Sequence, residues 1–431
     1  MTTVRARVPV PGGARRAHVR ERRRESLWFW PAVAAVAAWV AGDIAARYLH
    51  SFTLHQGLFP TDLDDARTLL ATIAAALLTF TGVVFSITLV ALQMASTQYS
   101  PRLIRTFVRK PVTKLALSIF IATFVYSLTL LARLGTTARV HTVPQGAVGL
   151  AYLLVMASVI VFVVFVHATV RSMRVTYVIE SVFRETLQAF ESLFALADAY
   201  RDATQPELGL EQPTTNITFD RTDAALDGID TYSLVGLAQR RACVLVLRAP
   251  VGTYLHRGEL LATAFGGSPP ETAEVLRALD CLAVRTLYQD PRYGLRQLVD
   301  IASKALSPAI NDPTTAVQSL DRIHGLLRAI ADRPDPTGCF VDGAGAVRLV
   351  VPVPGWDRIV ELAFTEVCVY GAGAPQVSRK LFAIFEDLIA CVAPERRPII
   401  ETQRAWLQEE VVRHHVVPLD RALSPDPMGL G

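Results

Sequence analysis

The sequence predicts a membrane α-helical protein: four transmembrane helices followed by a cytoplasmic α+β domain that combines a small β-barrel-like module with a helical bundle. Three observations carry this. Four apolar stretches, each near the ~20 residues a helix needs to span the hydrocarbon core, lie between Leu27 and Val170. Apolar residues make up 51% of the 431-residue chain and charged residues 19%, and the apolar excess sits in that first part. The remainder has ordinary globular composition, with short strand-like runs followed by segments of helical period. The predicted organisation is a basic cytoplasmic arm over 1–26, a four-helix transmembrane domain over 27–170, an amphipathic helical stalk over 171–204, the α+β domain over 205–417 and a flexible tail over 418–431.

The predicted spans are Leu27–Leu49, Leu69–Met94, Val112–Leu134 and Gly146–Val170. Helices suit this setting because every backbone N–H and C=O in lipid must be bonded internally. The first span also fits a signal peptide, being Ala-rich behind a basic segment. Its apolar run continues past a usual h-region, however, and Trp28, Trp30 and Trp39 suit a retained helix anchored at the interface. Orientation follows from the flanks. Eight arginines precede Leu27, and Arg102, Arg105, Arg109 and Lys110 fill the connector between the second and third spans. The connectors at Ser51–Ala66 and Gly135–Gln145 are poor in basic residues, so both termini are expected to be cytoplasmic.

The second span carries a polar stripe. Thr72, Thr79, Ser86 and Gln93 recur every seventh residue, and seven residues nearly close two turns of helix. Thr68, Gly82 and Thr97 fall close to the same side. Thr72, Thr79, Ser86 and Gln93 are the candidate pore-lining residues; a helix-packing face with hydroxyls bonded to their own i−4 carbonyls is the alternative. No Asp, Glu, Lys or Arg sits mid-span, which argues against an ion-coupled carrier. Before this span, Thr61 is expected as N-cap, with Asp62, Asp64 and Asp65 favoured by the helix dipole. Repeated around an oligomer, the same acids would form an anionic vestibule.

Past the fourth span, apolar residues recur at Val178, Val182, Phe183, Leu187, Phe190, Leu193 and Ala197 without Gly or Pro until Pro206. This predicts one helix from about Gly149 to Tyr200, roughly 75 Å long, whose inner half packs on the soluble domain or on a neighbouring subunit. Gln205–Asp227 reads as a linker. Cys243–Leu247, Val251–Tyr254 and Gly258–Leu261 read as strands of the barrel-like module. Ala273–Tyr288, Gly294–Leu306 and Asp312–Ala331 read as helices, followed by a hairpin through Asp342-Gly343 and three more helices ending near His415. Asp312 before Pro313 is a natural N-cap with Pro at N1.

Two segments resemble a known family. Phe85-Ser86-Ile87-Thr88-Leu89-Val90-Ala91-Leu92-Gln93, running on to Gln98-Tyr99-Ser100-Pro101-Arg102, is similar to the signature of the DUF2254 family of predicted bacterial membrane proteins. So is Leu306-Ser307-Pro308-Ala309-Ile310-Asn311-Asp312-Pro313-Thr314-Thr315-Ala316. The resemblance implies four N-terminal spans and a cytoplasmic domain, and it carries no assigned reaction. In the first motif, Pro101 stops the helix, Tyr99 suits the interface and Arg102 reaches the headgroups. In the second, Ser307–Pro313 is expected to form a rigid corner between helices, or else a polar loop facing a ligand or the membrane.

The five cysteines are widely spaced and contain no CxxC pair, so neither a disulfide framework nor a zinc site is expected. Four lysines against 39 arginines reflect genome composition. There is no GxxxxGK loop, HExxH or GxSxG, so no catalytic, cofactor or metal residue is singled out and no enzyme is expected. The basic residues form no stripe for nucleic acid. The expected partners are the lipid bilayer and further copies of the chain. The expected function is a passive, channel-like homo-oligomer gated by its cytoplasmic domain, with an unknown permeant. The alternative is a membrane-anchored sensor or scaffold.

Overall fold

The computed structural model describes residues 28–48, 62–98, 111–136, 143–199 and 214–414. The basic arm, the stretch containing Thr61, the residues Tyr99 to Arg102 and the tail lie outside them. The chain divides between Tyr177 and Val178 into two compact units.

Among its described residues the first unit holds four helices, α1 (Phe29–Tyr48), α2 (Leu63–Gln98), α3 (Pro111–Thr136) and α4 (Gln145–Ser172). All four are long and apolar enough to cross a membrane. α3 is the hub, packing against α1, α2 and α4. Lipid offers apolar groups no reason to prefer one another, so helices here associate through close approach and interhelical polar contacts. Gly42 of α1 provides the close approach, since a Cβ there would lie 3.1 Å from Thr129 of α3. Between α3 and α4, Thr123 and Ser158 hydroxyls meet at 3.2 Å and the Tyr126 hydroxyl donates to the Ala147 carbonyl at 2.9 Å. The ring of Phe80 stacks edge-on against Phe162 at 5.0 Å, tying α2 to α4.

α2 begins at Leu63, so Asp62 rather than Thr61 precedes it, and the Asp62 carbonyl accepts from Ala66 N–H at 3.1 Å. The long helix expected from Gly149 to Tyr200 is two helices. α4 ends at Ser172 and α5 (Val175–Ala199) begins three residues on. The N–H groups of Met173 and Arg174 bond carbonyls three residues back, at 3.2 and 3.3 Å. This tightened last turn needs no Gly or Pro, so periodicity alone could not show it.

In the second unit, the apolar face of α5 (Val178, Ile179, Val182, Phe190, Phe194) is buried. Its partners belong to the same unit: Phe183 faces Gly325, Thr186 faces Gly294, and Arg322 pairs with Glu180 at 3.0 Å. Eight strands follow among the described residues. β1 (Thr215–Thr218), β5 (Leu260–Phe265), β3 (Val244–Leu247), β8 (Val347–Val350) and β7 (Cys339–Val341) form one sheet in that order. Its pairs are antiparallel except β3 with β8. β4 (Tyr254–Leu255), β2 (Ala224–Ile229) and β6 (Leu279–Leu282) form a second sheet. Both sheets are open, so no closed barrel exists among the described residues.

The expected linker over Gln205–Asp227 therefore contains a strand and part of another. β2 is buried at every position and shows no alternation to betray it. Likewise, the helix expected over Ala273–Tyr288 covers only α7 (Thr272–Arg277), because Leu279–Leu282 is recruited to pair with β2. α6 (Thr231–Arg240) packs on β8, with Asp230 as its N-cap. A bundle of α8 (Pro291–Ala305), α9 (Pro313–Ile330), α10 (Trp356–Gly371), α11 (Pro375–Cys391) and α12 (Arg397–His414) completes the unit. The hairpin at Asp342-Gly343 is present between β7 and β8, its turn fixed by Asp342 accepting from Ala344 and Ala346 N–H.

Candidate functional site

The stripe of α2 is defined by what lies opposite it. Leu70, Leu77, Val84 and Ala91 are buried and recur every seventh residue, forming the seam that packs α2 into its own bundle. Thr72, Thr79, Ser86 and Gln93 stand two positions further along, roughly 200° around the helix. All four are exposed, as are Thr68 and Gly82. A Cβ built on Gly82 would meet nothing within 4 Å. The stripe is thus turned away from the other three helices, and packing inside the chain's own bundle does not account for it.

Its hydroxyls are partly self-sufficient. Thr72 donates to the Thr68 carbonyl at 2.7 Å and Thr79 to the Ala75 carbonyl at 3.1 Å. Such back-bonding lets a threonine face lipid, water or protein. Ser86 has no hydrogen-bond partner among the described residues, and Gln93 presents an amide with donor and acceptor capacity. The packing hydroxyls that sequence reading passed over lie on α3 and α4: Thr123, Ser127 and Ser158 are buried. The positions seven residues to either side of them are apolar, Ala116 and Leu130, Phe120 and Leu134, Ala151 and Phe165, so no stripe announced them.

The end of the unit at the α1 C-terminus carries an ionic cluster. Asp43 pairs with Arg133 and, at 2.9 Å, with Arg47. Arg67 donates to the Leu134 carbonyl at 2.8 Å while pairing with Asp64 at 3.1 Å. These charges fasten α1 and α2 to the C-terminal turn of α3.

In the second unit, Ser307–Pro313 is a tight corner between α8 and α9. The Ser307 hydroxyl donates to the Lys304 carbonyl at 2.7 Å, and its own carbonyl accepts from Ile310 and Asn311 N–H at 3.0 and 2.9 Å. Asn311 takes a left-handed φ of 49°, a conformation in which asparagine is tolerated better than most residues. Asp312 then caps α9, accepting from Thr315 N–H at 3.0 Å and Thr315 Oγ1 at 2.6 Å. These bonds hold its carboxyl below the usual range, the hydroxyl contributing most. Pro308, Ala309, Ile310 and Asn311 form an exposed tip. Of the first motif, the Gln98 side chain and Tyr99, Ser100, Pro101 and Arg102 lie outside the described residues.

A match over most of the chain, covering both features, decides the family. A sequence model described as "Predicted membrane protein (DUF2254)" matches residues 24–387. The chain belongs to this family. Uncharacterized protein Mb1321c of Mycobacterium bovis and uncharacterized protein Rv1290c of Mycobacterium tuberculosis are each 30% identical to it, covering 95% of this chain and 80% of theirs. No solved structure matches.

For this DUF2254 protein, the described residues contain no group of three or more His, Cys, Asp or Glu side chains able to hold a metal. The five cysteines are free thiols. Burial pushes the Cys243, Cys281, Cys339, Cys368 and Cys391 thiols up, away from the reactive thiolate. Buried Asp227 is committed to the chain itself, accepting from Thr286 N–H at 2.7 Å and Thr286 Oγ1 at 2.9 Å. A surface hollow of the second unit, about 400 Å³, is lined by Pro250, Arg292, Pro352, Pro354, Arg358 and Leu362 and carries no nucleophile.

Proposed function

We propose that the protein is a passive, channel-like homo-oligomer of the bacterial inner membrane, without catalytic activity, in which α2 of each copy contributes to a polar path. Both termini and the second unit are cytoplasmic in this reading, the latter acting as an assembly and gating domain. The observation that carries it is the placement of Thr72, Thr79, Ser86 and Gln93 opposite the buried seam of the same helix. A polar row on the outside of an apolar bundle is disfavoured against lipid unless it meets water or another chain. Surrounding it with further copies supplies both. The lack of a mid-span carboxylate or cation fits a passive path better than a coupled carrier.

Flux in liposomes, measured beside thermal stability, tests this with Ser86→Ala, Ser86→Leu and Gln93→Ala. Ser86→Leu should close the path by dewetting while leaving stability unchanged. Loss of stability with unaltered flux, or no ion or solute flux from folded wild-type protein across voltage, tension and pH, defeats the reading. The self-bonded hydroxyls of Thr72 and Thr79 favour the second reading, a membrane-anchored scaffold. There the stripe serves only contact between copies, and the exposed tip at Pro308–Asn311 meets a partner.

A further inference from the structure

The outer face of α4 changes character along its length. Leu153, Ile160 and Val163 are 64%, 65% and 62% exposed, and Met156 and Val164 beside them are exposed as well. Leu153, Ile160 and His167 follow one another at seven-residue spacing along one lane of the helix, and Arg174, seven residues further on, stands just past the helix end. Its apolar part covers ~20 Å from Leu153 to His167 at 1.5 Å per residue. At the C-terminal end the lane opens into a hollow of about 340 Å³ lined by His167, Val170, Arg171 and Arg174. α4 stops here, and the tight turn at Met173 sets Arg174 beyond the last helical turn. The Arg171 guanidinium lies 5.9 Å from the centre of the Tyr177 ring, which steadies it without neutralising it.

Neither Arg171 nor Arg174 has a carboxylate within ion-pair distance among the described residues. Elsewhere Arg184, Arg322, Arg328 and Arg396 each hold one. Two guanidiniums with no carboxylate partner among the described residues, and an imidazole, thus close an exposed apolar lane where a membrane helix leaves the hydrocarbon. That is the shape and charge of a phospholipid: acyl chains along Leu153, Ile160 and Val163, and an anionic headgroup between the cations.

We propose that this end of α4 is a binding site for an anionic phospholipid. The assignment rests on α4 crossing the bilayer and is independent of whether α2 lines a path.

The test uses the full chain in nanodiscs of phosphatidylcholine containing a minority of phosphatidylglycerol. Native mass spectrometry counts the lipids retained after release. Wild-type protein should keep phosphatidylglycerol in preference to phosphatidylcholine. Arg171→Gln with Arg174→Gln should weaken that preference on the order of 30-fold, from the worth of two basic side chains at an anionic surface. Arg171→Lys with Arg174→Lys keeps the charge and should keep most of the preference. Arg240→Gln with Arg277→Gln removes equal charge from the second unit and should change nothing. Equal retention by the Gln pair, or equal loss in the Arg240/Arg277 control, overturns the proposal. So does competition by millimolar inorganic phosphate as effective as added phosphatidylglycerol, which marks a bare anion site with no role for the acyl lane.

Discussion

Gly294 shows how a single missing side chain sets a helix contact. A Cβ there would overlap Thr186 Oγ1, so α8 approaches α5 as closely as it does only because the position is glycine. Gly294→Ala should destabilise the second unit by about 1–3 kcal/mol, the usual effect of overpacking. Adding Thr186→Ala should recover part of this, since it removes the hydroxyl that makes the closest contact while Leu287 Cδ2 still lies within 3 Å of the new methyl; denaturation curves of the two variants check the pair. Asp312 makes a different kind of contribution. Asp312→Ala removes the cap of α9 and should cost about 1 kcal/mol, whereas Asp312→Asn keeps an accepting oxygen and should cost less. The folded carboxyl lies below its ordinary value, so the charged form is the one that stabilises. That contribution is present above the unfolded pKa, about 3.9, and is lost as pH falls through the folded value. The stability gap between wild type and Asp312→Asn should therefore be present near neutral pH and close in acid. A gap that widens in acid contradicts the assignment.

At the scale of elements, legibility tracked periodicity. The four apolar helices were readable because length and composition alone separate them, and α9 because Asp312 and Pro313 mark its start. β2 and β6 were not, because β2 is buried at every position and shows no alternation, and the two strands lie some fifty residues apart in the chain. The stripe of α2 was readable as a stripe. Its direction was not, since only the buried seam of Leu70, Leu77, Val84 and Ala91 shows which side faces home. α5 illustrates the converse: its amphipathic face was legible, but whether its partner lay in the same chain was open. The buried contacts with α8 and α9 put the partner in the same unit. Phe190→Asp should accordingly unfold that unit, exposing it to protease, instead of yielding folded protein of lower oligomeric mass. Recovery of a protease-resistant second unit with a smaller assembly would reverse this view of α5.

For the whole molecule, the orientation proposed from the basic flanks is open to direct labelling. In a cysteine-free background, an impermeant thiol reagent applied from outside should modify a Gln56→Cys probe and leave a Ser307→Cys probe untouched. Modification of both, or of Ser307→Cys alone, contradicts cytoplasmic placement of the second unit. A geometric consequence follows for any assembly built through α2. The row from Thr72 to Gln93 repeats every seven residues, whereas a straight helix closes two turns in 7.2. The row therefore slips about 20° per repeat and winds roughly 60° over its three repeats. Copies that keep this row in register along its full length must coil about one another with a left-handed twist, so one inserted residue within the row would shear its two halves apart by about 100°.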